Sequence, residues 1–209
     1  MKELLSLYNQ RKSEIKQRIE EFSEVWNRND KEIFKELCFC LLTPQSKAVI
    51  CDKAIQYLYK TDLLYKGTEE QIREKLINVR FPENKAKYII LAREMFRENG
   101  SIKIKDKINP DDIVGTREWL VKNVKGMGYK ESSHFLRNIG FGNEIAILDR
   151  HIIKNMILMK LIDEMPTTLT KNKYLELEKK LKQFSSFIGI PMAELDLLFW
   201  SKETGFVFK

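Results

Sequence analysis

A lysine and an aspartate nineteen residues apart, Lys130 and Asp149, are the side chains of this sequence best suited to covalent chemistry. An amine attacks a sugar carbon only in its neutral form. Free lysine titrates near ~10.4, so its surroundings must depress it, through burial or neighbouring cations. A carboxylate could then favour the positive charge that grows on the sugar as a leaving group departs. Both residues also have ordinary readings. A lysine usually sits solvated on a helix face, and Asp149, ahead of an apolar run, is a natural helix N-cap. Capping and catalysis are compatible, because a cap holds its carboxylate rigidly at a helix mouth.

Lys130 follows Val124-Lys125-Gly126-Met127-Gly128-Tyr129, which reads as a turn between two helices. Glycines one residue apart permit positive φ and let backbone N–H groups approach a partner closely. Those groups lie beside the next helix N-terminus, so donors and helix dipole together suit an anion. Lys122, Lys125 and Lys130 add positive charge. A nucleic-acid phosphate fits such a hole, and the contact would position a strand without reading its sequence. The plain alternative is a helix corner with a glycine C-cap.

The elements that must carry these residues are helical nearly throughout. Leu4, Leu5, Tyr8, Ile15, Ile19, Phe22 and Trp26 share one face of a long first helix. Asn29-Asp30 stop it and cap a second, residues 31–42, which Pro44 ends. Ala48, Cys51, Ala54, Ile55 and Leu58 mark a third. Thr68 caps a fourth that carries Ile72, Leu76 and Val79, and a fifth opens at Pro82 and closes at Asn99-Gly100. A helical region from Pro110 leads through Trp119 and Leu120 into the hairpin. Beyond Asp149 an apolar helix runs to about Leu161, and helices are expected near 171–188 and 191–203. Only residues 102–105 and the tail alternate like strands, so no substantial sheet is expected. No internal repeat or low-complexity tract appears, and any two lobes must interweave along the chain.

Composition narrows the partners. The 209 residues are 43% hydrophobic and 32% charged, as in a folded globular chain, with a net charge of +7. Basic surfaces favour polyanions through counterion release, and anionic lipid surfaces are attracted for the same reason. The amphipathic, charged start is not a signal peptide, and no apolar run approaches the ~20 residues of a membrane span. Three cysteines, Cys38, Cys40 and Cys51, and two histidines, His134 and His151, form no disulfide framework or zinc pattern. A four-cysteine iron–sulfur cluster is one cysteine short. The expectation is a cytoplasmic protein with neither metal nor organic cofactor.

With these residues assembled, a family resemblance is plain. The stretch from Val124 to Lys130, then Asp149, resembles the helix-hairpin-helix superfamily of DNA glycosylase/lyases. More closely, the chain resembles the type 2, archaeal-type 8-oxoguanine DNA glycosylase/lyases. That likeness covers essentially the whole sequence: Thr43-Pro44-Gln45-Ser46, the hairpin at about 117–141, Leu148-Asp149-Arg150-His151, and the ending from Asp196 through Trp200 to Lys209.

The resemblance implies an all-α fold of two interwoven lobes flanking a DNA-binding groove, as a single unit over 1–209. It implies Lys130 as nucleophile and Asp149 as its electrostatic partner. Lys125, Gly126, Gly128 and His151 would bind the DNA backbone, with His134 nearby. Gln45 would enter the duplex where the damaged base has left it. Trp200 would stack on the extruded base, the C-terminal carboxylate of Lys209 would accept hydrogen bonds from the guanine edge, and Phe81 would line the pocket. From sequence alone, Gln45 is as readily a polar cap, Trp200 a core residue and Lys209 a frayed tail; Phe206 and Phe208 argue for an anchored tail. The partner would be double-stranded DNA containing 8-oxoguanine, and the protein would act as a monomer.

Other readings remain at this point. One is a glycosylase for another oxidised base, although pyrimidine-specific relatives often carry a cysteine cluster after the catalytic region, and no cysteine here follows Cys51. Adenine-excising relatives would lack the lysine. The other is a hairpin module that binds DNA without cutting it, which leaves the Lys130–Asp149 pair unexplained.

Overall fold

The computed structural model describes residues 2–209 and is helical almost throughout. In chain order the elements are α1 (Lys2–Trp26), α2 (Asp30–Leu42), α3 (Ala48–Lys60), α4 (Leu63–Lys66), α5 (Glu69–Lys75), α6 (Pro82–Phe96), β1 (Arg97–Glu98), β2 (Ser101–Ile102), α7 (Ile113–Asn123), α8 (Tyr129–Asn138), α9 (Arg150–Leu158), α10 (Lys171–Ile188) and α11 (Met192–Thr204). The chain divides into two compact units. One combines residues up to Val25 with Leu136–Lys209, and the other is Trp26–Phe135. The first unit is thus built from both ends of the chain.

In the central unit, α2 is the core. Every residue from Ile33 to Leu42 is buried, as expected of a helix that is apolar nearly all round. It packs against α3 and α6. Asn29 caps its N-terminus by accepting from Glu32 N at 3.1 Å. Thr68 and Gln71 form a reciprocal capping box at the start of α5, and Pro82 occupies the first turn of α6. Several details depart from the sequence expectation, among them α9, which ends at Leu158 rather than at about Leu161. The short α4 has too few residues to register as a periodicity. The fourth expected helix ends at Lys75, so Val79 lies beyond it, in the turn that precedes α6. Asn99-Gly100 does not cap α6 but forms the turn of the two-residue hairpin β1–β2, with φ values of 49° and 77°. Both contexts require left-handed backbone, which is why asparagine and glycine alone do not tell them apart.

In the terminal unit, α11 packs against α9 and α10. Lys154 and Glu203 pair at 2.6 Å, and Lys202 donates to Asn155 Oδ1 at 3.0 Å. These bonds fix α9, headed by Asp149, against the helix that carries Trp200. The Lys154 ammonium holds the Glu203 carboxyl below its ordinary range.

Candidate active site

The hairpin joins α7 to α8 through Val124–Gly128. Gly126 has φ of +92°, and a Cβ there would come 2.5 Å from Tyr88 Cδ2 on α6. Glycine is therefore demanded twice, by conformation and by space. Gly128 is not in the left-handed region. A Cβ on it would meet Glu131 Oε2 at 3.0 Å, and its own N–H donates to that oxygen at 3.2 Å. One hairpin amide is thus engaged by a carboxylate of the helix that follows. Lys125 and Gly126 are exposed on this turn.

Lys130 is the second residue of α8. Its side chain is 23% exposed, and Nζ lies 3.4 Å from Thr43 Oγ1 and 3.4 Å from Glu131 Oε1. Thr43 gives its own hydroxyl proton to Cys40 O at 2.9 Å, so its lone pairs face the lysine. The amine is sheltered yet reachable, as a nucleophile must be. Of the other residues of α8, His134 is only 6% exposed and packs edge-on to Phe39 at 5.6 Å. That placement makes His134 a core residue rather than one near a DNA backbone: from Ser132 onward α8 is buried all round.

Thr43 belongs to the turn that follows α2, and this turn also carries Gln45. Gln45 is exposed and takes φ of 55°, an uncommon conformation for a non-glycine residue. Phe81, which precedes α6, is 47% exposed with φ of 57°. The Arg80 guanidinium lies 5.4 Å from its ring. The central unit thus holds two of the expected DNA-contacting side chains on left-handed backbone.

In the terminal unit, Asp149 caps α9. Its Oδ1 accepts from His151 N at 2.8 Å and Ile152 N at 2.9 Å. Both capping bonds fall on one oxygen, and the residue is half-buried. The segment leading to it, Ile145–Leu148, is buried and fastened from α10. Glu178 accepts from Ala146 N at 2.7 Å, and Tyr174 donates to Ala146 O at 2.6 Å while accepting from Leu148 N at 3.2 Å. His151, in the first turn of α9, is half-buried.

Trp200 is half-buried near the end of α11, with Phe206 edge-on at 5.3 Å and Phe208 at 6.2 Å. Gly205, at φ of 91°, ends the helix. The turned-back tail is held by buried Val207 and by Arg11, which donates to Gly205 O at 2.9 Å. The tail is anchored, and Lys209 is half-buried.

A family model described as 8-oxoguanine DNA glycosylase matches residues 15–190. The chain belongs to this family. As a member of the 8-oxoguanine DNA glycosylase family, it is 49% identical over 209 residues to an 8-oxoguanine DNA glycosylase/AP lyase of Fusobacterium nucleatum, covering 99% of this chain and 96% of that relative. It is 41% identical over 201 residues to the 8-oxoguanine DNA glycosylase/AP lyase of Methanocaldococcus jannaschii, covering 93% and 91%. It is also similar to the crystal structure of Methanocaldococcus jannaschii 8-oxoguanine glycosylase/lyase in complex with 15mer DNA containing 8-oxoguanine. The TM-score is 0.87 at 37% identity, over 100% of both chains. The all-α, helix-hairpin-helix fold expected of the family is the fold observed.

Around the two candidate residues the geometry adds contacts that sequence reasoning missed. Thr43 and Glu131 contact the lysine, and Glu178 and Tyr174 hold the approach to Asp149. None carries a sequence signal of its own, because each acts through a partner distant in the chain or through a backbone atom. Among the described residues, no group of three or more His, Cys, Asp or Glu side chains is arranged to hold a metal ion. No helix there is long and apolar enough to cross a membrane.

Proposed function

We propose that this chain is a bifunctional DNA glycosylase/AP lyase that removes 8-oxoguanine from double-stranded DNA in base-excision repair, acting as a monomer in the cytoplasm. The observation that carries the reading is the Lys130 amine. It sits on the second residue after a glycine hairpin, sheltered against Thr43, in a chain of this family.

The hairpin turn and its lysines grip the phosphate backbone. The damaged nucleotide rotates out of the stack at a cost of about a few kcal/mol, which oxidation or mispairing lowers. Gln45 fills the vacated space, Phe81 and Trp200 contact the base, and Lys209 reads the guanine edge. The Lys130 amine attacks the anomeric carbon while the bond to the base breaks. The bonding pair leaves with the base, which takes up a proton. Asp149 stabilises the positive charge on the sugar. The attached nitrogen then gives up a proton and its lone pair forms the C=N bond as the C1′–O4′ bond breaks and O4′ takes up a proton; the resulting Schiff base loses a 2′ proton, and the 3′ phosphate departs by β-elimination.

Incubation with duplexes carrying one 8-oxoguanine, one oxidised pyrimidine or only normal bases tests the substrate. Release of 8-oxoguanine with strand cleavage at that position is expected. Preferential release of the pyrimidine would redirect the substrate assignment. Binding without release of any base would leave only a hairpin binding module.

A further inference from the structure

The two left-handed residues that face DNA in the reading above lie on loops more than thirty residues apart, yet one polar cluster built on a buried lysine fastens both. Lys85, on α6, is 4% exposed. Its Nζ donates to Leu42 O at 2.7 Å, Pro44 O at 2.7 Å and Ser46 Oγ at 3.1 Å. Ser46 Oγ also accepts from the backbone N–H of Arg80 at 2.9 Å. Gln45 stands between two of the lysine's acceptors, and Phe81 directly follows Arg80. Cys51 Sγ completes the cluster by donating to Leu42 O at 3.2 Å.

Ordinary structural needs account for part of this. The last carbonyls of α2 have no partner within the helix, and a cation at a helix C-terminus is favourable. A buried ammonium is nevertheless a costly way to satisfy them. Burial, with Lys130 and Arg80 as further cations, pushes Lys85 down to about 8; Cys51 and Glu131 oppose the shift only in part. Burial pushes the Cys51 thiol up to about 11, so it remains a neutral donor. A neutral amine has two hydrogens for three acceptors, so the charged form alone satisfies the whole cluster. Retaining a charge here makes sense if the turn must be held in a conformation it would otherwise leave, since strained backbone persists only where its surroundings over-determine it.

We propose that Lys85 and Ser46 form a latch that holds the Gln45 turn and the Phe81 turn in one fixed arrangement, making both positioning residues for base extrusion rather than for the chemistry at Lys130. This rests on the glycosylase reading for its consequence, but not for its structural content. The latch matters while a base is being displaced from a duplex. Where the base is already missing, attack by Lys130 on the open sugar needs it little.

The test uses the full chain with Ser46→Ala and Lys85→Met, each checked for a cooperative thermal transition. Ser46→Ala is the milder change and keeps the question answerable if Lys85→Met fails to fold. Three quantities are measured: hydrogen exchange at the Arg80 amide, single-turnover release of 8-oxoguanine opposite cytosine, and borohydride trapping on a duplex with a pre-formed abasic site. Release is expected to slow by about tenfold or more in both variants, while trapping stays within about threefold in Ser46→Ala; Lys85→Met, which also frees the carbonyls on either side of Thr43, lowers trapping as well but by less than it lowers release. Exchange at Arg80 should accelerate. In the unsubstituted protein the ratio of release to trapping should fall as pH rises through about 8, and in Lys85→Met it should be flat. Unchanged release in folded variants, or equal loss of release and trapping, would overturn the proposal. If the unsubstituted protein releases no 8-oxoguanine, the functional reading fails. The latch is then judged by exchange alone, and an Arg80 amide that exchanges no faster in Ser46→Ala overturns it.

Discussion

Asp149 caps α9 and, on the proposed reading, is also the carboxylate of the chemistry. Its Oδ1 takes both capping bonds, from His151 N and Ile152 N, so the carboxylate is aimed by the helix it starts. Substitution separates the roles. Asp149→Asn keeps a capping oxygen and removes the charge. It should change stability by no more than about 1 kcal/mol while slowing base release about 100-fold or more, through loss of stabilisation of the cationic sugar. Asp149→Ala should lose the same activity and add a cap penalty of about 0.5–2 kcal/mol. Denaturant melts beside single-turnover kinetics measure both. An Asn variant as active as the parent would remove Asp149 from the chemistry and leave it a cap alone.

The hairpin and the turns around it make the residues effective. Gly126 couples α7, α8 and α6 through one missing Cβ. Gly126→Ala meets both a φ of +92° and the Tyr88 ring, so a loss of about 2 kcal/mol or more is expected. Tyr88→Ala should restore only part of it, because the left-handed strain remains; full restoration would mean that crowding alone was at work. Lys85 supplies a second test at this scale. Its folded-state value of about 8 lies below the ordinary 10.5, so the unfolded chain holds more protons between those values. Stability contributed by this group therefore rises with pH across that window and is flat below it. The parent protein should gain thermal stability relative to Lys85→Met between about pH 8 and 10.5, even as its extrusion step weakens. A parent that loses ground across the same window would contradict a buried, depressed lysine.

Much of this architecture is legible in the sequence, for identifiable reasons. The stripes of α1 and α3 and the caps Asn29, Thr68 and Asp149 act over one or two turns, so their signals are local. The Gly126–Lys130 hairpin and Asp149 are legible because each depends on its immediate neighbours. Lys85 is illegible because a lysine is ordinarily solvated, and its burial depends on carbonyls some forty residues away. His134 misleads for a related reason. It lies in a helix with lysine and glutamate at its start, and only the packing of Phe39 reveals that the helix is buried from Ser132 onward.

For the molecule as a whole, a net charge of +7 on 209 residues makes association with DNA a salt-dependent property. Phosphates neutralised by lysines release counterions, and the affinity falls with a slope of about −0.9 per phosphate contacted. Lys125→Ala, on the exposed hairpin, should flatten that slope by about 0.9 and weaken damaged and undamaged DNA alike. A loss confined to damaged DNA would mean that Lys125 reads the lesion rather than the backbone. On the proposed reading the selective step follows this general grip, in extrusion and attack. Borohydride trapping tests that centre most directly. The protein is incubated with a duplex containing one 8-oxoguanine, reduced, and compared with Lys130→Gln. A covalent protein–DNA adduct from the parent alone, with Lys130→Gln still binding the duplex, is the expected result. An adduct that persists in Lys130→Gln, or base release by the parent with no adduct, would contradict a Schiff base at Lys130.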